Sequence, residues 1–339
     1  MKRLTFDLKF ITPAFIGGAN QQAEIRPASF VGLLRWWWRA LKGECDIKRL
    51  REEEIKIFGG DGKMASPVYL RVEGDVSKGS DLINEYKLSW NFDKNRRALT
   101  GSHAGVGYLY YSMVALNRRE FIKADSKLKL ILVGKDDVLK HHIASLWALV
   151  FLGGVGARSR RGGGNLTVID YNPKDLGISF IPTSYFDEWL VENLKRAKDL
   201  VGCSKTPCNE YSNLKNVKLV LSPREFNTWV EALNDIGNRF MNFRVKNRQR
   251  VFDTAVFGIP VRHSNGQFVR AEDDITRRSS PVIIKVVKTP KGKYLWMALW
   301  LWGKFLPNGV KLSFMGKTQE PSFKLIEEFF QELEGGAKK

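Results

Sequence analysis

A chain of 339 residues, 43% hydrophobic and 12% aromatic, has enough apolar material for two domains with a core each, which excludes wholesale disorder. Lys and Arg total 55 against 36 Asp and Glu, and a net charge of +19 repels itself in any compact fold, so the composition points to a polyanionic partner: nucleic acid first, then an acidic protein or an anionic membrane surface. Three cysteines make no disulfide framework, and the longest apolar runs (Ile143 to Gly156, Tyr294 to Gly303) fall short of the ~18–20 residues of a membrane span, so a soluble cytoplasmic protein is expected.

Leu4 to Ile11 alternates like a strand. Thr12-Pro13 breaks it, Gly17-Gly18 turns the chain, and Pro27 leads into a helix expected over Ser29 to Lys42, with Ser29 as N-cap. Further strands are expected at Val68 to Val72, Lys87 to Phe92 and Leu128 to Val133. Gly101 to Gly107 reads as a loop running into Tyr108, Tyr110 and Tyr111. Asp136 and Asp137 open a helix that carries Ile143, Leu146, Trp147 and Val150 and stops at Gly153-Gly154. A glycine- and arginine-rich loop and a short strand, Leu166 to Ile169, close the first half. Pro173 and Pro182 bracket a linker.

In the second half, Val217 to Leu221 reads as a strand. Ser222-Pro223-Arg224-Glu225 then offers an N-cap, a first-turn proline and a capping glutamate for a helix through Trp229, Leu233 and Ile236. Val282 to Val287 and Tyr294 to Trp302 flank Thr289 to Gly292 as a hairpin. Phe323, Ile326, Phe329, Phe330 and Leu333 line one face of a last helix, and no closing strand is legible after it. The fold class is therefore α+β, with one module expected over residues 1–175 and another over 176–339, each a set of helices on an antiparallel sheet.

Two segments combine positive charge with features that suit RNA. On the first helix, Arg35, Arg39 and Lys42 share one stripe at 100° per residue. Trp37 falls on the core face, and Trp36 and Trp38 lie at the borders. Guanidinium groups track phosphates and indoles stack on bases, so Arg35, Trp36, Trp38, Arg39 and Lys42 form one candidate site. The second runs from Gly153 to Asn165. Gly154, Gly156 and Gly163 would expose backbone amides, and Arg158, Arg160 and Arg161 would add charged donors. It lacks the Gly-Lys-Ser/Thr ending of a P-loop and follows a helix instead of a strand, so no nucleotide cofactor is expected. Arg244, Lys246, Arg248 and Arg250, and the Arg277-Arg278 pair, are secondary candidates for RNA or subunit contact.

Ile11 to Gly18, Arg26-Pro27 and Gly32-Leu33-Leu34-Arg35-Trp36-Trp37-Trp38-Arg39 together resemble the N-terminal signature of the RAMP superfamily. The aromatic-rich form is similar to the first-numbered subunit family of the type III-B CRISPR (Cmr) effector complex. Ile57-Phe58-Gly59-Gly60, the Gly153 to Gly164 loop, Phe257-Gly258-Ile259-Pro260 and Arg277 to Pro281 extend the likeness across both halves. The resemblance implies two tandem ferredoxin-like, RRM-like modules. It also implies a structural subunit that helps to bind the 3′ region of a guide RNA and a single-stranded target RNA, among other Cmr subunits, with target cleavage assigned elsewhere.

Chemistry is harder to find. Metal-independent RNA cleavage wants a positioned general acid or base, most often His. Of His103, His141, His142 and His263, only His103, between Gly101 and Gly105, sits where a flexible loop suggests a site; it carries the alternative reading of an endoribonuclease. Cys203 and Cys208 could be half of a zinc site, but no second pair stands at a matching distance, so no metal is expected.

Overall fold

The computed structural model describes residues 1–18, 20, 22–60, 62, 64–116, 119–206, 208–263, 266–273 and 275–337. The chain opens with β1 (Lys2–Phe10), α1 (Pro27–Lys42), α2 (Ile47–Phe58) and β2 (Tyr69–Glu73). An insertion follows, made of β3 (Lys78–Gly79), α3 (Leu82–Glu85), β4 (Asn91–Asp93), β5 (Ala98–Thr100), α4 (Ala104–Tyr111) with a π-helical turn (Ser112–Leu116), and β6 (Phe121–Ile122). Then come β7 (Lys127–Gly134), α5 (Asp136–Leu152), β8 (Leu166–Asn172) and α6 (Phe186–Val201). The second half contains β9 (Asn213–Leu221), α7 (Trp229–Lys246), α8 (Val251–Ala255), β10 (Val261–Arg262), β11 (Phe268–Ala271) and β12 (Val282–Lys288). It continues with β13 (Tyr294–Trp302), β14 (Leu312–Phe314), β15 (Lys317–Gln319) and α9 (Lys324–Ala337).

The first sheet is antiparallel, in the order β2-β7-β1-β8. Along β1 the period-two pattern buries Leu4, Phe6, Leu8 and Phe10 and turns Thr5, Asp7 and Lys9 to the other face. The apolar face is covered by α1, which buries Phe30, Leu34, Trp37 and Leu41, and by α5. The second sheet, in the order β12-β13-β9, is also antiparallel. One of its faces (Ile283, Val287, Met297, Leu299) joins the core of the first sheet and its helices. The other (Ile284, Val286, Trp296, Ala298) packs with α7 and α9. The molecule is thus layered sheet, helices, sheet, helices. That arrangement explains why β12 reads as a nearly unbroken apolar run and why α5 is apolar all round: each is covered on both sides. A small third sheet runs β10-β11-β14-β15.

Several sequence expectations change. Ala104 to Tyr111 is helix, because Gly105 and Gly107 serve close approach instead of a turn. A carbon on Gly105 would lie 2.2 Å from the Asn234 carbonyl oxygen, and one on Gly237 would lie 2.4 Å from that of Gly105, so α4 and α7 cross glycine against glycine. The capping box of α7 sits six residues downstream of the expected one. Thr228 Oγ1 accepts from the Glu231 amide at 3.1 Å, and Glu231 accepts from the Asn227 amide at 3.0 Å. Ser222 instead turns its hydroxyl to the Arg224 carbonyl.

Helix α6 follows the prolines directly and packs in the first core through Trp189, Leu190 and Ala197. Buried residues of the insertion, including Val106, Leu109 and Tyr110, join the second core. The two cores therefore interlock and do not divide at residue 175. Among the described residues no strand follows α9, so the second sheet has three strands where the first has four.

Candidate nucleic-acid interface

The Gly153 to Asn165 loop is a clasp between the two halves. Arg160 donates to the Ser280 carbonyl, and Arg161 donates to the carbonyls of Val282 (2.9 Å) and Phe257 (3.1 Å). The Ile284 amide donates to the Arg160 carbonyl at 3.1 Å. Asn165 Oδ1 accepts from the Val286 amide at 2.8 Å, and the buried Lys285 ammonium donates to the Gly153 carbonyl at 2.7 Å. The loop's amides are spent in the same way: those of Val155, Ala157 and Gly164 donate to Gly164, Phe15 and Pro13.

Its glycines are there for closeness. A carbon on Gly154 would lie 2.6 Å from the Gly163 carbonyl oxygen, and one on Gly163 would lie 3.0 Å from that of Ala157. Gly156, at φ +89°, would meet the Phe15 carbonyl oxygen at 2.6 Å. Gly154, Gly156 and Gly163 thus pack against protein backbone, which corrects their reading as an open phosphate cradle. Arg160 is corrected too, since its guanidinium lies 5.0 Å over the Trp36 ring and is committed to Ser280.

The α1 stripe is likewise occupied. Arg39 Nη1 donates to both oxygens of Glu54 on α2, at 3.0 and 2.9 Å. Arg35 lies 3.6 Å from the same carboxylate and caps the end of α2 through the carbonyls of Phe58 (2.8 Å) and Gly59 (2.6 Å). Lys42 is buried and paired with Glu53 at 2.6 Å. Trp38 is fully buried and donates its indole N–H to His141, and Trp36 is half-buried, edge-on to Trp37. The sequence pattern shows the stripe but not the acids of α2 that meet it. Arg35, Arg39 and Lys42 are therefore paired within the α1–α2 unit, and Trp38 is buried between α1 and α5. Arg250 is also withdrawn, into pairs with Glu328 (2.6 Å) and Asp253 (2.9 Å). Lys246 and Arg277 are exposed and line neither part of the main groove.

Positive charge without a carboxylate partner among the described residues gathers elsewhere. A groove of about 1050 Å³ lies between the β4–β5 hairpin, α4 and the last turns of α7, and it continues into a hollow of about 710 Å³. Arg97, Arg158, Arg161, Arg244, Arg262 and Arg278 line the first part; Lys94 and Arg248 extend the second. Among the described residues no Asp or Glu lines either part. Phe92 (62% exposed) and Tyr111 (49% exposed) line the groove together with Tyr108.

The positioning is local and legible. Asp93 Oδ1 accepts from the amides of Asn95 and Arg96 and closes the hairpin turn, so that Lys94 and Arg97 project from a short ribbon beside Phe92. Arg244 ends α7, where a cation suits the helix dipole, and its guanidinium sits 5.8 and 5.6 Å from the rings of Phe240 and Phe257. Arg161 also lies over this cluster, 5.0 Å from the Phe240 ring. Arg158 is held by Ser112 of the π-helical turn, at 2.9 and 2.6 Å. Arg278 reaches the groove floor with donors already given to Phe305, Lys304 and Ser212. Burial, then the charge of Arg244, pushes the Arg161 guanidinium down to about 9, and burial lowers Arg158 in the same direction. Crowded cations without a carboxylate partner are a standing demand for an outside anion.

Of the sequence candidates, the groove unites Arg158, Arg161, Arg244, Arg248 and Arg278. Sequence reasoning missed Phe92, Lys94 and Arg97. The run Lys94-Asn95-Arg96-Arg97 next to an aromatic is visible in the sequence, just past the expected strand Lys87 to Phe92.

Among the described residues no hydrogen bond or ion pair joins a histidine to a carboxylate. His103 Nδ1 accepts from the Ser89 amide at 3.1 Å at the start of α4, tying two chain segments together. His141 is pushed down to about 4 by burial and then by Lys140 and Lys42; burial pushes His142 down to about 4. His263 borders the second hollow, its ring 5.0 Å from Phe314, and burial and Arg244 lower its pKa. Among the described residues no group of three or more His, Cys, Asp or Glu could hold a metal, and no helix is long and apolar enough to cross a membrane.

Comparison with known proteins places this geometry in a family. The RAMP superfamily profile matches residues 7–167. The Cmr subunit Cmr1-1 of Pyrococcus furiosus is 30% identical over 289 residues, covering 79% of this chain and 78% of that protein. Cmr1-2 of the same organism is 35% identical over 186 residues, half of this chain and 96% of that one. The crystal structure of apo Cmr1 from Pyrococcus furiosus superposes with a TM-score of 0.66 at 26% identity, over 91% of this chain and 90% of that one. A chain of the type III-B Cmr-beta complex, solved by cryo-electron microscopy with cognate target RNA bound, shares the fold at a TM-score of 0.59 and 14% identity, over 99% of both chains. The chain therefore belongs to the RAMP superfamily, in the family of the Cmr1 subunits of CRISPR systems.

Proposed function

We propose that this chain is a non-catalytic, RNA-binding structural subunit of a cytoplasmic Cmr effector complex, and that the groove between the β4–β5 hairpin, α4 and α7 holds single-stranded RNA. The observation that carries the proposal is a channel lined by arginines with no carboxylate among the described residues and with exposed aromatic rings in its lining. Guanidinium groups meet the phosphates, and Phe92 and Tyr111 offer faces to unstacked bases, which a duplex would not present. Two ferredoxin-like modules, the second without its fourth strand, would form the scaffold. The strand–helix–strand–strand–helix–strand order of the first sheet supports that assignment. Membership of the Cmr1 family supports the choice of guide RNA, in its 3′ region, and target RNA as ligands, and of other Cmr subunits as partners.

One experiment tests the proposal. The purified chain is irradiated with labelled single-stranded RNA carrying 4-thiouridine, and the products are mapped by mass spectrometry. Cross-links are expected in residues 92–111 and 240–262, with the strand otherwise intact. Cross-links confined to α1 and α2, or cleavage of the strand that disappears in His103→Ala, would overturn it.

A further inference from the structure

The arginine-lined hollow adjoins a third depression of different chemistry. This pocket of about 490 Å³ is formed by the turn from α7 into α8 and by the hairpin of β14 and β15. Its size falls within the roughly 300–1,000 Å³ of small-ligand sites. Gln249 lines both the pocket and the hollow, and the ring of Phe314, in the pocket wall, lies 5.0 Å from that of His263, which lines the hollow. The lining is not that of a phosphate site. Val251, Phe252, Phe314 and Met315 make an apolar wall, and Asp253 supplies a carboxylate where the groove and the hollow have none among the described residues. Asp253 Oδ2 accepts from Arg250 Nε at 2.9 Å, and the two Nη atoms of Arg250 donate to Glu328 at 2.6 and 3.0 Å. A carboxylate has about four acceptor sites, so Asp253 keeps capacity for a further donor while Arg250 offsets its charge. The hairpin presents side chains to the same space. Met315 and Gly316, at φ +50° and +76°, make a two-residue left-handed turn, and Met315 bears strain there that glycine would not. Met315 is 67% exposed and lines the pocket. Phe314 pairs with Lys317 across the turn, which puts a ring and an ammonium on one face of the ribbon.

We propose that this pocket takes one unstacked base of the RNA strand held in the groove, and that it selects a base with an exocyclic amino group over uracil. The proposal rests on the reading of the groove as a single-stranded RNA site. A strand that runs from the groove through the hollow meets the pocket next, at Gln249. The base lies against Phe314 and Met315, as unstacked bases do on aromatic and other soft apolar side chains. Its amino group donates to Asp253, and Lys317 meets the adjoining phosphate. The side-chain amides of Gln249 and Gln319, each able to donate and to accept, serve the remaining polar edge of the base. Adenine, cytosine and guanine share the amino donor. Uracil lacks it: its one ring N–H stands between two carbonyl oxygens, which a carboxylate repels. The groove and the hollow thus grip the strand by charge, and the pocket reads it.

The test titrates the full chain, by fluorescence anisotropy, into a short labelled oligouridine and into strands whose central uridine is replaced by adenosine, cytidine or guanosine. Each replacement is expected to tighten binding about tenfold, the size of one well-made base contact. Asp253→Ala should bring that ratio to about one. A central 8-azidoadenosine, photolysed in the complex, should cross-link to residues 249–253 or 314–319, a readout that needs no variant. Equal affinity for all four strands, a preference that persists in Asp253→Ala, or cross-links confined to the groove would refute the pocket. Salt-dependent binding of the oligouridine would in those cases leave the groove reading standing. A parent chain that binds none of the strands would sink both.

Discussion

Glu54 holds Arg39 by both of its carboxylate oxygens, at 3.0 and 2.9 Å, and its side chain is only 10% exposed. The same carboxylate lies 3.6 Å from Arg35, so one nearly buried acid faces both arginines of the α1 stripe. Glu54→Ala should leave two guanidinium groups crowded without a counter-charge and cost about 2–3 kcal/mol of stability, read by urea denaturation. Its effect on the salt dependence of RNA binding should be nil. A steeper salt dependence in this variant would mean that the stripe joins the RNA path once released.

The glycine-rich loop should respond as a structural element. Gly164 has φ +61°, and a carbon there would lie 1.9 Å from the Val155 carbonyl oxygen. Gly164→Ala is expected to lower the thermal midpoint by about 10 °C or more, on the order of several kcal/mol from strain and overlap together. Circular dichroism melting checks this. A melt like that of the parent chain would reopen the loop as an exposed cradle.

Lys285 gives the chain a distinctive pH response. Burial pushes its ammonium down to about 7, although it donates to the carbonyl that ends α5. In the unfolded chain a lysine holds its proton to about 10.4. Between these values the unfolded state binds more protons, so this group makes stability rise with pH, by at most about 1.4 kcal/mol per unit. Below pH ~7 both states are protonated, the full cost of burying the charge is present, and the contribution is flat. Lys285→Met should remove this rise, seen as a flatter plot of denaturation midpoint against pH from about 7 to 10. Parallel plots for the two proteins would contradict the assignment.

Phe92 isolates stacking from charge. Its ring is 62% exposed on a two-stranded ribbon and supports little of the core. Phe92→Ala should weaken single-stranded RNA binding by about 1–3 kcal/mol while leaving the salt dependence of that binding unchanged. Fluorescence anisotropy at several salt concentrations separates the two effects.

The periodic elements are legible because one-sided burial writes itself into sequence: the alternation of β1, the apolar length of α5 and the hairpin of β12 and β13 all follow from it. What is not legible depends on partners distant in the chain. The basic residues of α1 look free until α2 supplies Glu53 and Glu54, and the glycines of the clasp look open until the loop's own backbone and that of Phe15 close on them. Helix α6 starts without a side-chain cap, behind two prolines, and its start is marked only by the acids of its first turn, Asp187 and Glu188. The groove is assembled from segments far apart in the chain that no local pattern links; only Arg158, Arg161, Arg244, Arg248 and Arg278 stand out in the sequence, each for its own charge context.

The salt dependence of single-stranded RNA binding by Arg97→Ala/Arg244→Ala/Arg248→Ala tests the central claim most directly. These three side chains line the groove and have no carboxylate partner among the described residues. The slope of log K against log salt should fall by about 2, roughly 0.7 for each phosphate that the variant no longer neutralises, with the fold intact by circular dichroism. A slope equal to that of the parent chain, in a folded triple variant, would place the RNA somewhere other than this groove.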